Sequence, residues 1–367
     1  MDAFKIQGIS ETTFHKYQTK LLFPTIYWQW YQNQEHLIRD SIAGGGVTLG
    51  GDMRADSPGH SAKYGSYTMM DLKLNKVIDI QLVQSNKVGN SVQMEKEGFE
   101  RSLSFLEGKG IVVNSIVTDR HTGVQKFLRE QRPGISHYFD PWHMGKGIGK
   151  KIYAMAKTRR TQEVGSWRKS VVNHLYWHLH GPHCLHQPLV DEQARQWLKP
   201  STAACEQLTA VLLAPRLLKD MKKISPQHHI SGIESFHSLI LKFAPKNVVF
   251  SFTGLLCRLK LTAMHYNENA QRAHASTAAG ELRYSIVYPK YKHGDFTMRP
   301  LRSHPTSGYI ETLMELLFHY VVKDPGSYQD FPDTVLVPGK LCSQFTRPDK
   351  REAVARHKSR FFKNMLQ

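Results

Sequence analysis

VTLGGDMRAD, residues 47–56, is the stretch on which the fold turns. Val47 and Leu49 are apolar and alternate with neighbours of other character. The turn residues Ser57, Pro58 and Gly59 follow, so the pattern predicts a first strand. Asp52 and Asp56 lie four residues apart and would share one face of that strand. Downstream, YGSYTMMD (64–71) and KVIDIQLVQ (76–84) are rich in β-branched, aromatic and apolar residues, with Asn75 between them, which predicts a hairpin. Upstream, Ser10–Lys20 and Thr25–Ile42 are expected as two helices, with Ser10 as an N-cap and Pro24 separating them. Gly44–Gly46 breaks the second helix before the strand begins.

Glu95–Leu106 carries Phe99, Leu103 and Leu106 at helical spacing and stops at Gly108 and Gly110. Ile111–Asp119 is a further strand, His121–Gln131 a helix, Ile135–Phe139 a short strand and Lys146–Lys157 a basic helix. The order is therefore β β β α β α β α. Short links between the first three strands imply antiparallel pairing, and helical links imply parallel crossovers. The expected class is α/β, a mixed five-stranded sheet flanked by helices, and that order is similar to the ribonuclease-H-like fold. In such a sheet the first and fourth strands are neighbours, which sets Asp52 beside Asp119.

Three acids then stand at the ends of separate elements: Asp52, Asp119 and Glu234, the last opening a helix over Glu234–Phe243. Clustered carboxylates repel one another unless a cation neutralises them, and metal-assisted phosphoryl transfer uses such a cluster directly. Each acid also has an ordinary alternative. Asp52 can be a solvent-facing strand acid, Asp119 an N-cap, and Glu234 a first-turn helix acid. Asp140, in FDPWH (139–143), can ligate a metal or cap the next helix. His143 can contact phosphate, position a water, or pack.

The chain of 367 residues has 40% hydrophobic residues, enough for a core, and a formal charge of +18. Such a balance favours a polyanionic partner, nucleic acid before an anionic membrane surface. Lys146, Lys150, Lys151, Lys157, Arg159 and Arg160 occur with no acid between Asp140 and Glu163. A solvated charged face mixes signs; this one does not, and phosphate contact is its natural use. The basic tail carries further Lys and Arg.

Four separated cysteines without a CxxC pair read as reduced thiols rather than a disulfide framework. His174, His178, His180, His183, Cys184 and His186 lie close in sequence, but no complete ligand set has zinc spacing, so a structural Zn²⁺ is not expected. No apolar stretch approaches the ~20 residues of a membrane span, so no membrane partner is expected and the chain reads as intracellular.

GGDMRADSPGHSAKYGSY (50–67), VTDRH (117–121), FDPWH (139–143) and GIESFHSLILKFAPK (232–246) together resemble the transposon-derived DDE/DDD transposases of animal genomes, some of whose relatives carry a THAP-type DNA-binding domain. The resemblance runs from about residue 8 to about residue 300. FDPWH is similar to a C/D-x-x-H element after the fifth strand in several such groups. The resemblance implies metal-dependent cleavage and transfer of DNA strands. Asp52, Asp119 and Glu234 would be the catalytic, metal-binding acids, and two Mg²⁺ (or Mn²⁺) the cofactors. Asp140 competes for the third place, as do Glu95 or Glu97, which would imitate cellular ribonuclease H. DNA would be the partner, a homo-oligomer is left open, and the nucleus is the expected location.

On this reading residues 1–46 are an N-terminal helical segment, a remnant of a DNA-binding region. Residues 47–165 and 228–266 form the catalytic core, 166–227 a helical insertion before the last catalytic helix, and 267–367 a C-terminal region with a basic tail. Two other readings stand beside the nuclease: a domesticated or decayed relative that binds DNA without cutting it, and a protein-interaction scaffold on the same fold.

Overall fold

In a computed structural model the structure describes residues 8–57, 62–88, 91–180, 198–290, 294–329, 337–339, 346 and 348–357. Contacts divide the chain into two units, Met1–Thr334 and Val335–Gln367. The second unit contributes one described helix, Lys350–Arg356, capped by Asp349.

Its centre is a five-stranded sheet: β1 (Val47–Ala55), β2 (Tyr64–Asp71), β3 (Lys76–Gln84), β4 (Val113–Thr118) and β5 (Ser136–Phe139), in the order β3-β2-β1-β4-β5. The pairs β1–β2 and β2–β3 are antiparallel, and β1–β4 and β4–β5 are parallel. That is the mixed α/β sheet the sequence predicts, with the first and fourth strands side by side. Asn75 takes a left-handed φ of 51° in the β2–β3 turn, where Asp71 Oδ1 accepts the Lys73 and Leu74 amides. Pro58 and Gly59 lie outside the described residues.

One sheet face is covered by α3 (Ser91–Gly108) and α4 (Thr122–Gln131). Phe99, Leu103 and Leu106 of α3 and Val124, Phe127 and Leu128 of α4 pack on Leu49, Tyr67, Met69 and Ile78 in one apolar core. Burying each such side chain contributes about 1.5–3 kcal/mol. Tyr67 fits only because two glycines face it. A Cβ on Gly51 would lie 2.1 Å from the Tyr67 hydroxyl, and one on Gly98 would lie 2.5 Å from Tyr67 Cβ.

Two helices predicted at the N-terminus are instead one helical run. α1 (Glu11–Tyr17), capped by Ser10 as expected, passes through a π-helical turn (Gln18–Leu22) into α2 (Phe23–Ala43). Pro24 does not separate the helices; the wide π-helical turn Gln18–Leu22 directly before it carries the run past a residue that would break a regular α-helix interior.

The basic helix, α5 (Pro141–Met155), begins five residues before the predicted start, because Asp140 caps it and Pro141 opens it. The insertion is helical as expected: α6 (Val164–His180), α7 (Ala203–Leu212) and α8 (Pro215–Met221). These pack on α5 in a second apolar core that includes Met144, Ile148, Ile152, Leu175, Leu208 and Leu217. His183, Cys184 and His186 lie outside the described residues, as do the side chains of His178 and His180. The chain then rejoins the sheet. Phe139 N–H donates to Lys223 O, and Ser225 N–H donates to Phe139 O.

α9 (Ser231–Phe243) follows, then α10 (Phe252–Asn269), and both pack against the sheet's other side. Asn267 caps the edge strand β3: its Nδ2 donates to Val77 O and its Oδ1 accepts the Val77 amide, each at 2.8 Å. A hairpin of β6 (Tyr284–Val287) and β7 (Thr297–Pro300) and a helix, α11 (Gly308–Leu316), complete the unit. Among the described residues no helix is long and apolar enough to cross a membrane. Cys205 and Cys257 are free thiols; Cys184 and Cys342 lie outside the described residues.

Candidate active site

The parallel register of β1 and β4 pairs Gly50 with Val117. Carried on two residues, it sets Asp52 beside Asp119, which follows the end of β4. Asp119 does not cap α4, although Asp commonly does so. Its Oδ1 accepts the His121 amide at 2.8 Å, and the cap is His121, whose Nδ1 accepts the Val124 amide.

Asp52 projects towards α9. Burial pushes its carboxyl up to about 8, and the charges of Asp119, Glu234 and Asp140 push the same way. Only a hydrogen bond from the Met53 amide opposes them. Glu95, in the first turns of α3, is pushed up to about 9 by burial, then by Asp119 and Asp52, and it shares a hydrogen bond with Asp119. The Tyr67 hydroxyl beneath feels Glu95, Asp52 and Asp119, and it too is raised, first by burial. Asp52, Glu95, Asp119 and Glu234 therefore form one cluster of carboxyl groups at the ends of the central strands, crowded enough that Asp52 and Glu95 hold their protons at neutral pH, with no Lys or Arg among the groups acting on them.

Glu95 stood in the sequence only as a competitor, paired with Glu97. The structure separates the two. Glu97 turns outward and bonds Arg101 at 2.7 Å, one helical turn on. Glu95 lies four residues before Phe99 and so on the sheet-facing side.

Two histidines hold the acids. His143 Nε2 meets Glu234 Oε1 at 3.2 Å. His237, which the sequence reading did not single out, lies one turn after Glu234. Its Nδ1 is 3.5 Å from Asp52 Oδ2 and its Nε2 is 3.2 Å from Thr68 Oγ1. The first contact has ion-pair distance without being an ion pair. Burial, followed by the charges of Arg54, Lys246 and His143, lowers His237 to about 3, so the ring is neutral at pH 7. With Thr68 donating to Nε2 and the ring proton on Nδ1, both contacts are satisfied.

Asp140 is a fastener. Its Oδ2 accepts the His143 amide and its Oδ1 the Ile230 amide, both at 3.0 Å. It is 1% exposed. One carboxylate thus caps α5 and holds the residue before α9, which fixes His143 and Glu234 relative to each other. Asp56 belongs elsewhere: it lies one residue past β1, among Arg54 and Lys246.

Hard carboxylate oxygens without a compensating cation are the donor set that Mg²⁺ or Mn²⁺ prefers. Among the described residues, however, no three His, Cys, Asp or Glu side chains stand close enough together to hold one ion as they are placed. Glu95 is engaged with Asp119, Glu234 with His143, and Asp52 faces His237. Ligation would draw side chains off these partners.

Lys146, Lys150, Lys151, Lys157, Arg159 and Arg160 are all exposed. No family model matches the chain, and no curated protein matches it.

Proposed function

We propose that this chain is a ribonuclease-H-like nuclease of the DDE/DDD transposase type, which cuts and transfers DNA strands with two divalent cations, Mg²⁺ or Mn²⁺. One observation carries the reading: the half-buried Asp52 and Glu95 lie against Asp119, with Glu234 close enough to raise Asp52 further, and no cationic side chain among the described residues offsets them. The strand order β3-β2-β1-β4-β5, with the first two acids on adjacent central strands, supports the same fold family. Asp52, Asp119 and Glu234 would hold the ions, with Glu95 at the Asp119 side. Bound there, the ions supply an activated water or 3′-hydroxyl and neutralise charge on the leaving oxygen. His143 orients Glu234, His237 and Thr68 orient Asp52, and Asp140 ties the helices that carry His143 and Glu234. The exposed cations of α5 and the turns after it take DNA phosphates, and a nuclear location goes with that partner.

A second reading is a relative that binds DNA without cutting it. It is favoured by the spread of the acids, none of which shares an ion position with two others as placed. Supercoiled plasmid separates the two. The nuclease nicks it in Mg²⁺ or Mn²⁺, and Asp52→Asn, Asp119→Asn and Glu234→Gln each abolish nicking while gel-shift affinity stays within about twofold, because catalysis and phosphate binding use different groups. Glu95→Gln lowers the rate about 10–100-fold, the effect of losing an outer ligand. No nicking by wild type in either metal, with salt-sensitive DNA binding kept, selects the second reading. Affinity that ignores salt excludes DNA as the partner and leaves a protein scaffold.

A further inference from the structure

α5 runs away from the acid cluster, and its outward face carries two aromatic rings with two cations between them. At 100° per residue, Trp142, Lys146, Lys150 and Tyr153 fall within about 80° of one another around the helix axis, and Lys157 follows in the turn after the helix. His143, bonded to Glu234, borders the same face. The opposite face holds Met144, Ile148 and Ile152 in the insertion core, so the helix cannot roll. Trp142 is 42% exposed and Tyr153 55% exposed, unusual for large aromatic residues on a well-buried helix. Lys146 Nζ rests 4.1 Å from the Trp142 ring centroid. Lys157 Nζ lies 5.0 Å from the Tyr153 ring, and the Arg168 guanidinium of α6 lies 5.8 Å from it. From Trp142 to Tyr153 the stripe is about 17 Å long. No Asp or Glu occurs between Asp140 and Glu163.

Duplex phosphates would need the cations alone. Two exposed rings with cations between them match a strand whose bases are unstacked, because every base offers a π-face to an aromatic ring and the phosphates between them pair with Lys. We infer that the outward face of α5 is a track for unpaired nucleotides leaving the acid cluster. Trp142 and Tyr153 stack on bases; Lys146 and Lys150 take the phosphates between. Lys146 moves from the ring to a phosphate when a base arrives. The inference rests on the nuclease reading and specifies its substrate as DNA with an unpaired stretch beside the cut.

Fluorescence anisotropy in EDTA, where no cutting occurs, tests it with labelled oligothymidylate of about twenty nucleotides and a matched blunt duplex. Trp142→Ala and Tyr153→Ala are each expected to weaken oligothymidylate binding about tenfold and duplex binding less than about twofold. Trp142→Phe keeps most of the affinity. The Lys146→Gln, Lys150→Gln pair weakens both probes and reduces the salt slope by about two. Equal loss on both probes, or no loss on either, from the two aromatic variants overturns the track. If that happens while Asp52→Asn still abolishes nicking, the track falls and the nuclease stands. If the single-strand losses appear but no metal elicits nicking, the track stands and the nuclease falls.

Discussion

Asp52→Asn is expected to stabilise the cation-free protein, and to do so more as pH rises. Burial, then Asp119 and Glu234, lift the Asp52 carboxyl from 3.8 to about 8. With the folded value above the unfolded one, the folded protein keeps a proton that the unfolded chain has shed. The stability that proton carries is whole below about pH 4 and is lost as pH climbs towards about 8. At about 1.36 kcal/mol per unit, the loss between about pH 5 and about pH 8 is at most about 4 kcal/mol. The side chain keeps 15% of its surface exposed, so water reaches it. A realised difference of about 2–3 kcal/mol is the expectation.

An Asn amide has no proton to lose and escapes the penalty. For a folded unit of this length the difference corresponds to about 3–4 °C in Tm. Thermal unfolding in EDTA should show the variant ahead at about pH 8, with the gap closing towards about pH 5. Millimolar Mn²⁺ should close the gap, because a ligand at about 100 times its Kd adds about 2.7 kcal/mol to a protein that binds it. The reasoning is refuted if the variant is no more stable than wild type at the higher pH in EDTA, or if Mn²⁺ raises both equally.

Asp140→Ala leaves two backbone amides unpaired in a buried place and should cost about 2–4 kcal/mol by denaturant titration. Asp140→Asn keeps an acceptor oxygen, should cost about half as much, and should still nick plasmid; loss of nicking as complete as in Asp52→Asn would make Asp140 a ligand after all. Gly51→Ala drives a methyl into the Tyr67 hydroxyl, whose oxygen lies 2.1 Å from the added carbon. It should cost about 1–3 kcal/mol. Tyr67→Phe should return part of that loss in the double variant, and strict additivity of the two changes would refute the clash.

The strands were legible because their signals are local. Alternation marks β1, Asn75 marks the hairpin, and short versus helical links decide which pairs are antiparallel. From that order the neighbourhood of Asp52 and Asp119 follows without any long-range information. Pro24 was misleading because its effect depends on the helical register around it: a π-helical turn just before it lets the run continue where a regular α-helix would break. Glu95 could have been told from Glu97 by phase, since Phe99, Leu103 and Leu106 mark the buried side and Glu95 is four residues before Phe99. The His237 contacts had no such signal. Thr68 is 169 residues away in sequence, and only the packing of α9 across the sheet brings the two together.

The position of Glu234 depends on the sheet more than on the insertion before it. Phe139 binds the returning chain through Lys223 and Ser225, and the next residue, Asp140, takes the Ile230 amide. The chain is therefore fastened on both sides of the β5–α5 junction before α9 begins, and Glu234 follows within one turn. Gly50 lies under this junction: a Cβ there would meet Leu72 Cδ2 at 2.6 Å and Ile230 Cγ2 at 3.2 Å. The insertion is tied separately, by Arg120, next to Asp119, pairing with Asp220 of α8. The segment between α6 and α7 can thus differ in length without displacing the third acid. A change at Asp140, which need not touch a cation, displaces it directly.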